Sequence, residues 1–334
     1  MTLFGTKSPL VFVFTFWICL SAIAQNKPIL VIHGGAGTIE RGMLSDSLEL
    51  EIKSALQKAL DTGYGIMSDG GTAVDAVEAT LMVLEDSPHF NAGKGSVMTK
   101  KGNHELDASI MDGKDLNAGA VTGVSKVKNP ISAARGVMDK SPHVMFAGRG
   151  ADEFAKTLKL ELVPNAYFTT PRIRKNWKHS QIKEGRIAPA EKKFSKFGTV
   201  GCVALDGDGN IAAGTSTGGM MNKANSRIGD SPIIGAGTYA DNNTCGVSST
   251  GHGEYFIRIG VAKEISDQME FGNKTLKEAV NHTIHNKLSN MDALGGVIAL
   301  DRDGNIEMVF NTPGMYRGYK TDSENKVLIY GKDD

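Results

Sequence analysis

The sequence predicts a mixed α and β fold, and three observations support this. A short continuous apolar run at 28–33 ends in a glycine-rich turn, which is typical of a buried strand. Two segments with apolar residues at helical spacing follow, at 48–60 and 73–82. After residue 198 the pattern changes to strands separated by tight turns, so helices dominate the first half and strands the second.

The two predicted helices differ in character. The first carries Leu48, Ile52 and Leu56 at helical spacing and is expected to end at Gly63 and Gly65. The second begins after Thr72 with the pattern of a capping box, and its residues at 73–82 are almost wholly apolar. An apolar surface on every side predicts a helix enclosed between layers.

Two similar hairpins are predicted in the second half. One pairs 199–206 with 211–217, and the other pairs 295–301 with the strand that begins at Ile306. Both tips resemble the start of a calcium loop, but Ile211 and Ile306 stand where such a loop needs glycine. The hairpins therefore predict paired sheet elements rather than calcium sites.

Composition limits the function classes. The chain has 334 residues, with 37 Lys and Arg against 37 Asp and Glu, and 40 glycines. Zero net charge argues against nucleic-acid binding, because such proteins present a basic surface. The glycine excess indicates many tight turns or close backbone approaches. Two cysteines of the second half, Cys202 and Cys245, are expected to be buried free thiols, although an oxidising compartment would allow a bridge.

The first 24 residues resemble a secretory signal peptide. They contain one charged residue, Lys7, an apolar run at 10–23 and a small-x-small pattern that ends at Ala24. The run is short for a membrane span. These features predict cleavage after Ala24 and an exported, periplasmic protein with no membrane attachment once the signal is removed.

A basic segment precedes the strand-rich half. Residues 151–197 contain a single glycine, Gly185, and Lys and Arg are concentrated at 171–198. This composition predicts a solvated, flexible tail at about 165–198, and a plain exposed linker is an equally good interpretation.

Common nucleotide and metal motifs are absent from the sequence. Glu40 stands where the dinucleotide fingerprint needs its third glycine, and Gly93-Lys94-Gly95 lacks the Ser or Thr of a phosphate-binding loop. The eight histidines never show the spacing of a zinc pair, and no G-x-S-x-G serine motif occurs.

The step from Gly198 to Thr199, where the basic segment meets the first hairpin strand, is more informative. Cleavage of this peptide bond would give Thr199 both a hydroxyl nucleophile and an α-amine. That amine has a reference pKa of about 7.7–8.0 and can act as the base that the hydroxyl needs. Taken alone, however, Thr199 is more simply the first residue of a strand.

Seven motifs occur in order along the chain after residue 24. They are His33-Gly34-Gly35-Ala36-Gly37, Phe90-Asn91-Ala92-Gly93-Lys94-Gly95, Gly198-Thr199-Val200-Gly201, Gly214-Thr215-Ser216-Thr217-Gly218-Gly219, Arg227-Ile228-Gly229-Asp230-Ser231-Pro232, Gly235-Ala236-Gly237-Thr238-Tyr239-Ala240 and Thr250-Gly251-His252-Gly253-Glu254. Together they resemble the plant-type L-asparaginase/isoaspartyl peptidase family of N-terminal-nucleophile hydrolases. The resemblance implies an αββα sandwich of four layers.

The resemblance also implies an activity. The precursor would cleave itself between Gly198 and Thr199 into an α chain, 25–198, and a β chain, 199–334, which form one domain. Thr199 would then attack the side-chain amide of L-asparagine or the isopeptide bond of a β-aspartyl peptide and release L-aspartate. No catalytic cofactor is implied, and the active species would be a dimer of αβ units.

Site roles follow from the same resemblance. Thr217 would orient the amine of Thr199, Arg227 would bind the substrate α-carboxylate, and Asp230 its α-ammonium. Thr250 and Gly251 would form the oxyanion hole. Further site positions are Asn91, Ile228, Gly229, Gly253 and His252, whose large side chain is expected to narrow the pocket. A loop would hold a structural sodium ion through the main-chain carbonyls of Leu84, Glu85, Ser87, Phe90, Ala92 and Lys94.

Two other functions stay open on the sequence. One is an N4-glycosylasparaginase-like amidase, although Gly198 before the threonine and the His-Gly-Gly-Ala-Gly run favour the plant-type branch. The other is an exported amino-acid-binding module that uses Arg227 and Asp230 without catalysis.

Overall fold

The computed structural model describes residues 1–2, 27–184 and 198–331. Its strands are β1 (Ile29–Gly37), β2 (Leu106–Asp112), β3 (Ala118–Val124), β4 (Met145–Ala147), β5 (Thr199–Leu205), β6 (Ile211–Thr217), β7 (Thr238–Ala240), β8 (Cys245–Gly251), β9 (Gly295–Asp301), β10 (Ile306–Phe310), β11 (Gly314–Lys320) and β12 (Asn325–Tyr330). Its helices are α1 (Asp46–Ser68), α2 (Ala73–Asp86), α3 (Pro130–Lys140), α4 (Gly148–Thr157), α5 (Pro171–Glu184), α6 (Gly253–Ile259), α7 (Val261–Glu270) and α8 (Leu276–Asn281).

Two sheets lie face to face at the centre. The larger has eight strands in the order β12-β11-β1-β5-β6-β2-β3-β4, and the smaller has four in the order β10-β9-β8-β7. Alternate side chains of the central strands serve two cores. Leu30 and Ile32 of β1 pack with α1 and α2, whereas Val31 packs with β8, β9 and the helices behind them. The layers therefore follow the order helix, sheet, sheet, helix, and the predicted αββα sandwich is confirmed.

The helix α1 runs through the two glycines that were predicted to end it. At Gly63 the reason is close packing, since a Cβ there would lie 2.0 Å from Oγ1 of Thr80 on α2. The helix ends five residues later at Ser68. The start of α2 agrees with the prediction, because the Thr72 side chain accepts a hydrogen bond from the amide of Asp75 at 3.2 Å.

Both hairpins form as predicted. Strands β5 and β6 pair antiparallel in the large sheet, and β9 and β10 pair antiparallel in the small one. At each tip an aspartate accepts hydrogen bonds from amides of its own turn: Asp206 from Asp208 and Asn210, and Asp301 from Asp303 and Asn305. These carboxylates stabilise the turns.

The first part of the basic segment is structured, which differs from the predicted flexible tail. Its helix α5 packs through Ile173, which is 4% exposed, and through Trp177, whose indole N–H donates to the carbonyl of Thr99 at 2.8 Å. These two apolar residues, four positions apart, give the charged helix one face that can be buried. Residues 185–197 of the predicted tail lie outside the described residues.

Two further predictions concern the ends and the cysteines. Residues 3–24 of the predicted signal peptide lie outside the described residues. Within the described part of the chain, no helix is long and apolar enough to cross a membrane. Cys202 and Cys245 are both buried and free, as expected.

Candidate active site

The site lies where β5 and β6 meet. Thr199, the first residue of β5, is paired with Thr217, the last residue of β6. The Thr199 hydroxyl donates to the Thr217 hydroxyl at 3.2 Å, and Thr217 Oγ1 also accepts the amide of Gly219 at 3.0 Å. The antiparallel register therefore brings together two threonines that are 18 positions apart.

Main chain packs tightly around the bond between Gly198 and Thr199. Gly35 of β1 has a φ of +106°, and a Cβ at this position would lie 2.6 Å from the Gly198 Cα and 3.0 Å from the Thr199 nitrogen. A Cβ on Gly198 would lie 2.9 Å from the Cβ of Asn91. Glycine at both positions is what allows β1 and the loop of Asn91 to enclose this bond.

Asn91 holds the turn that follows Thr217. Its Nδ2 donates to the carbonyl of Gly219 at 2.7 Å, and its Oδ1 accepts the amide of Val97 at 2.8 Å. Its main-chain carbonyl accepts the amide of Gly218 at 3.0 Å. Because both ends of the side-chain amide are engaged, Asn91 fixes the backbone beside the two threonines.

The predicted substrate-binding arginine pairs with a carboxylate that the sequence analysis did not assign. Arg227 Nε and Nη2 donate to the two oxygens of Glu254 at 2.9 and 2.8 Å. Burial opposes ionisation of Glu254, but the hydrogen bonds and charge of Arg227 outweigh it and lower the pKa of this carboxyl. The guanidinium is thus already in the bidentate geometry that binds a carboxylate.

Asp230 lies near this pair but does not join it. It is 5% exposed, and its Oδ2 has no hydrogen-bond partner among the residues that the structure describes. Burial raises the pKa of Asp230 to about 7, against the opposing effects of its own amide and of Arg227. An unpartnered acidic oxygen of this kind is suited to a cationic ligand group.

The predicted oxyanion residues lie on β8. Thr250 is fully buried, and its Oγ1 accepts the amide of Ala36 at 3.3 Å. Gly251 lies at the end of the strand. His252 is 3% exposed, and the centroid of its ring lies 5.7 Å from the centroid of the Tyr255 ring. The ring therefore packs against Tyr255. It does not line the cavity that contains Thr199, Arg227 and Asp230.

A cavity of about 10 Å³ connects most of these groups. A cavity of this volume holds about one water molecule, so the uncleaved chain leaves little room for a substrate. Gly198 forms part of the wall. The lining residues are Gly198, Thr199, Thr217, Gly219, Met220, Arg227, Gly229, Asp230, Ser231 and Gly251. Of the other predicted residues, Ile228 is 40% exposed, and Gly253 packs so closely that a Cβ would lie 2.9 Å from Arg227 Nη2.

Two buried residues that the sequence analysis gave no role lie beside the threonines. His33 Nδ1 is 3.0 Å from the main-chain oxygen of Thr199. Lys223, on the turn after β6, donates from Nζ to the carbonyl of Glu105 at 2.9 Å and lies 3.8 Å from Asp107, which pairs with Thr217 across β2 and β6. Burial lowers the pKa of Lys223, and Asp107 opposes this. His33 belongs to a quoted motif, but its partners lie too far along the chain to be found by spacing.

The predicted sodium loop folds back on its own carbonyls. Gly95 has a φ of +106°, and a Cβ there would lie 2.7 Å from the carbonyl oxygen of Pro88 and 2.9 Å from that of Phe90. The carbonyl of Glu85 accepts the amide of Lys94 at 2.7 Å. The space that a Cβ would fill is therefore bordered by two carbonyl oxygens, of which only that of Phe90 belongs to the predicted sodium-binding set. No group of three or more His, Cys, Asp or Glu able to hold a metal occurs in the described ranges.

Comparison with known proteins identifies the family. The sequence model of the asparaginase family matches residues 26–329. The chain belongs to the asparaginase family. The isoaspartyl peptidase of Escherichia coli is 46% identical over 318 residues, which cover 93% of this chain and 98% of the relative. The isoaspartyl peptidase/L-asparaginase of Homo sapiens is 43% identical over 278 residues, 83% of this chain and 88% of the relative.

Membership of the asparaginase family decides between the classes of function. The chain is therefore a hydrolase, so the alternative of a binding module without catalysis is set aside. Asparaginases of this family need no catalytic cofactor.

The predicted periplasmic localisation is wrong. Relatives of this asparaginase that match most of its length occur in Dictyostelium discoideum, Arabidopsis thaliana and Homo sapiens, which have no periplasm. Neither these comparisons nor the described residues provide evidence for a signal segment.

Proposed function

We propose that this asparaginase cleaves itself between Gly198 and Thr199 and uses Thr199 to hydrolyse L-asparagine and β-aspartyl peptides. One observation supports the proposal most directly. Thr199, whose hydroxyl is hydrogen-bonded to Thr217, lies at the enclosed Gly198–Thr199 bond and lines the same cavity as Arg227 and Asp230. A nucleophile and two charged groups of opposite sign are what a reaction at the side chain of an α-amino acid requires.

In the self-cleavage step, Thr199 Oγ1 attacks the carbonyl carbon of Gly198, and the bond to the Thr199 nitrogen breaks. The proton of Oγ1 passes to that nitrogen, which becomes the free α-amine. The product is an ester, which water hydrolyses to a carboxylate on Gly198 and the regenerated hydroxyl of Thr199. Support comes from the packing, because Gly35, Asn91 and Gly198 together hold this peptide against the hydroxyl. Departure of Gly198 from the cavity wall would also open the site to substrate.

In turnover, the α-amine takes the proton of Oγ1 while the oxygen attacks the substrate amide carbon. Thr250 and the amide of Gly251 would stabilise the negative oxygen of the tetrahedral intermediate. The same proton then passes to the leaving ammonia or peptide amine. Water cleaves the remaining β-aspartyl ester and releases L-aspartate, so atoms and charge balance over the cycle.

In the proposed mode of substrate binding, the substrate carboxylate displaces the carboxylate of Glu254 from Arg227. Glu254 holds both guanidinium donors at 2.9 and 2.8 Å in the uncleaved chain. Glu254 is 54% exposed at its side chain and can move into solvent. We propose that the substrate α-carboxylate takes over at least one of these donors, while the α-ammonium meets the unpartnered oxygen of Asp230.

Three finer features belong to the same proposal. The α chain and β chain form one domain, and two αβ units form a dimer. The carbonyls of the 84–94 loop hold a sodium ion with a structural role only. N4-glycosylasparaginase activity is the weaker candidate, since the relatives named above are isoaspartyl peptidases.

Replacement of the nucleophile tests the proposal. We expect Thr199→Ala to remain a single chain and to release no aspartate from L-asparagine or β-Asp-Leu, whereas the wild type runs as two bands with Thr199 as a new N-terminus. Thr199→Ser is the matched control, because it retains a hydroxyl and should process and turn over more slowly.

Two outcomes would contradict the proposal. The first is hydrolysis by Thr199→Ala at the wild-type rate, and the second is an active wild-type protein that stays in one piece. Release of aspartate from a glycosylated asparagine at a higher kcat/KM than from both other substrates would favour the weaker candidate.

A further inference from the structure

A row of buried polar side chains connects the two sheets with Thr199. His33 of β1 lies at its end, with Nδ1 3.0 Å from the Thr199 main-chain oxygen and Nε2 3.0 Å from Ser248 Oγ on β8. From Ser248 the row continues to Thr215, Thr238 and Ser109, at successive distances of 2.7, 2.6 and 2.8 Å between hydroxyl oxygens. Ser109 also contacts the carbonyl of Ser231, next to Asp230, at 2.6 Å. His33 and all four hydroxyl residues are 0% exposed.

The direction of every hydrogen bond in this row follows from its end. A carbonyl oxygen only accepts, so His33 Nδ1 must carry a proton to bond to Thr199. Burial lowers the pKa of His33 to about 3, although the bond to Thr199 opposes this, and the ring is therefore neutral. In a neutral ring with Nδ1 protonated, Nε2 accepts, and the Ser248 hydroxyl must be its donor.

The remaining donors are then fixed in turn. Because the proton of Ser248 is used on His33, Thr215 donates to Ser248 and shares its proton with the carbonyl of Gly237 at 3.1 Å, and Thr238 donates to Thr215. Ser109 shares its proton between Thr238 and the carbonyl of Ser231. Each hydroxyl thus acts as a donor toward the His33 end of the row, Thr215 and Ser109 sharing their protons with carbonyls, and the row holds the ring in a single tautomer.

A glycine in β5 provides independent support. A Cβ at Gly201 would lie 2.1 Å from His33 Nε2 and 2.1 Å from Ser248 Oγ. The bond between these two side chains therefore passes directly over the Cα of Gly201, two residues after Thr199. No other residue type would allow it.

We propose that His33 is a positioning residue for the nucleophile: its Nδ1–H donates to the Thr199 carbonyl, and the hydroxyl row keeps that nitrogen protonated. The bond fixes the plane of the peptide that joins Thr199 to Val200. It thereby sets the direction in which the Thr199 Cα presents both Oγ1 and the α-amine. This inference rests on the proposed role of Thr199.

Two substitutions of similar size separate positioning from mere packing. In His33→Asn the side-chain nitrogen lies near the place of Nδ1 and can still donate to Thr199, whereas in His33→Gln it lies near the place of Nε2. We expect processed His33→Gln to lose about tenfold to a hundredfold in kcat, with KM within about threefold of the wild type, because small misplacements of a reacting group are this costly. For His33→Asn, we expect the decrease in log kcat to be at most half of the decrease for His33→Gln.

The positioning role would be overturned if kcat fell equally in the two variants, or if KM increased while kcat did not change. Thr199→Ala, measured alongside, keeps the two proposals apart. If Thr199→Ala is inactive and His33→Gln retains wild-type kcat, only the role of His33 fails. If Thr199→Ala is active, the role of Thr199 itself fails.

A spectroscopic measurement on the unmodified enzyme covers the case in which the variants do not fold. Long-range proton–nitrogen correlation spectra of ¹⁵N-histidine-labelled protein, with His33 assigned, report which ring nitrogen carries the proton. We expect a neutral ring protonated at Nδ1 from pH 5 to pH 8. A ring protonated at Nε2 alone, or a charged ring at pH 5, would contradict the inference.

Discussion

Asp230 shows how one buried carboxyl can select a charged substrate. Burial raises its pKa to about 7, so both the neutral and the ionised form are populated near neutral pH, and its Oδ2 has no hydrogen-bond partner in the described part of the chain. A substrate ammonium would favour the ionised form, because an opposite charge nearby lowers the pKa of a carboxyl. Binding of an amino acid is thus linked to release of a proton.

This linkage predicts a pH-dependent preference between L-asparagine and succinamate, which lacks the α-ammonium. Both substrates need the same amine of Thr199, so its ionisation cancels in the ratio of their kcat/KM values. Below pH 7 the free Asp230 takes up a proton and loses its attraction for ammonium. We therefore expect the ratio to fall about tenfold or more between pH 8 and pH 5.5. A ratio that does not change with pH would contradict the assignment of Asp230.

At the residue scale, sequence analysis could find the groups but not their partners. The motifs contained Arg227, Asp230 and Glu254, but they did not indicate which of these residues contact one another. The structure pairs Arg227 with Glu254, which lies 27 positions away at the start of α6. His33 meets Thr199 across 166 positions. Such contacts depend on how strands are ordered in a sheet, and local spacing contains no information about this.

At the element scale, α1 shows that the surroundings of a glycine decide its effect. Gly63 faces α2 at very close range, whereas a Cβ on Gly65 would meet no atom within 4 Å. The sequence predicts a helix end at both positions because glycine is a poor helix former. Burial of α1 against α2 and β1 outweighs that local cost, so the helix continues.

The two glycines give a matched pair of predictions. Gly63→Ala should destabilise the protein by about 1–3 kcal/mol, because the added methyl group overlaps Thr80 and Leu30. Gly65→Ala should leave stability unchanged or raise it by about 0.5–1 kcal/mol, since it improves helix propensity in open space. Thermal unfolding of both variants measures the difference. Equal effects would show that the close approach of α1 and α2 does not limit the size of residue 63.

Element prediction succeeded where local signals and burial agree. The N-cap at Thr72 and the tight turns of both hairpins are local features, and the structure forms them as expected. Helix α5 was missed because its average composition is that of a solvated segment, while Ile173 and Trp177 alone decide its packing. The αββα arrangement itself came from the family resemblance, since strand order does not follow from periodicity.

At the scale of the whole molecule, the proposed α chain and β chain are interleaved in one sheet. Strand β1 of the α chain lies between β5 and β11 of the β chain, and β2 pairs with β6 across a second junction between the chains. The small sheet consists of β-chain strands only. Three ladders of main-chain hydrogen bonds therefore cross from one proposed chain to the other.

This interleaving predicts that the cleaved chains stay together. We expect the processed enzyme to elute from a size-exclusion column in buffer as one species that contains both chains, and to separate only in denaturant. Uncleaved Thr199→Ala serves as the control and should elute at the same volume. Separation of the two chains in buffer without denaturant would be inconsistent with this sheet order.

The same strand order implies that the proposed self-cleavage would make refolding of an unfolded molecule much less favourable. Before the cut, β1 finds its place between β5 and β11 within a single chain, at a high effective concentration. After cleavage, refolding would require two separate chains to associate in dilute solution and β1 to insert between strands of the other chain. The persistence of the mature enzyme is then governed by its rate of unfolding and not by an equilibrium. Each molecule would have one opportunity to assemble, and its replacement would depend on new synthesis.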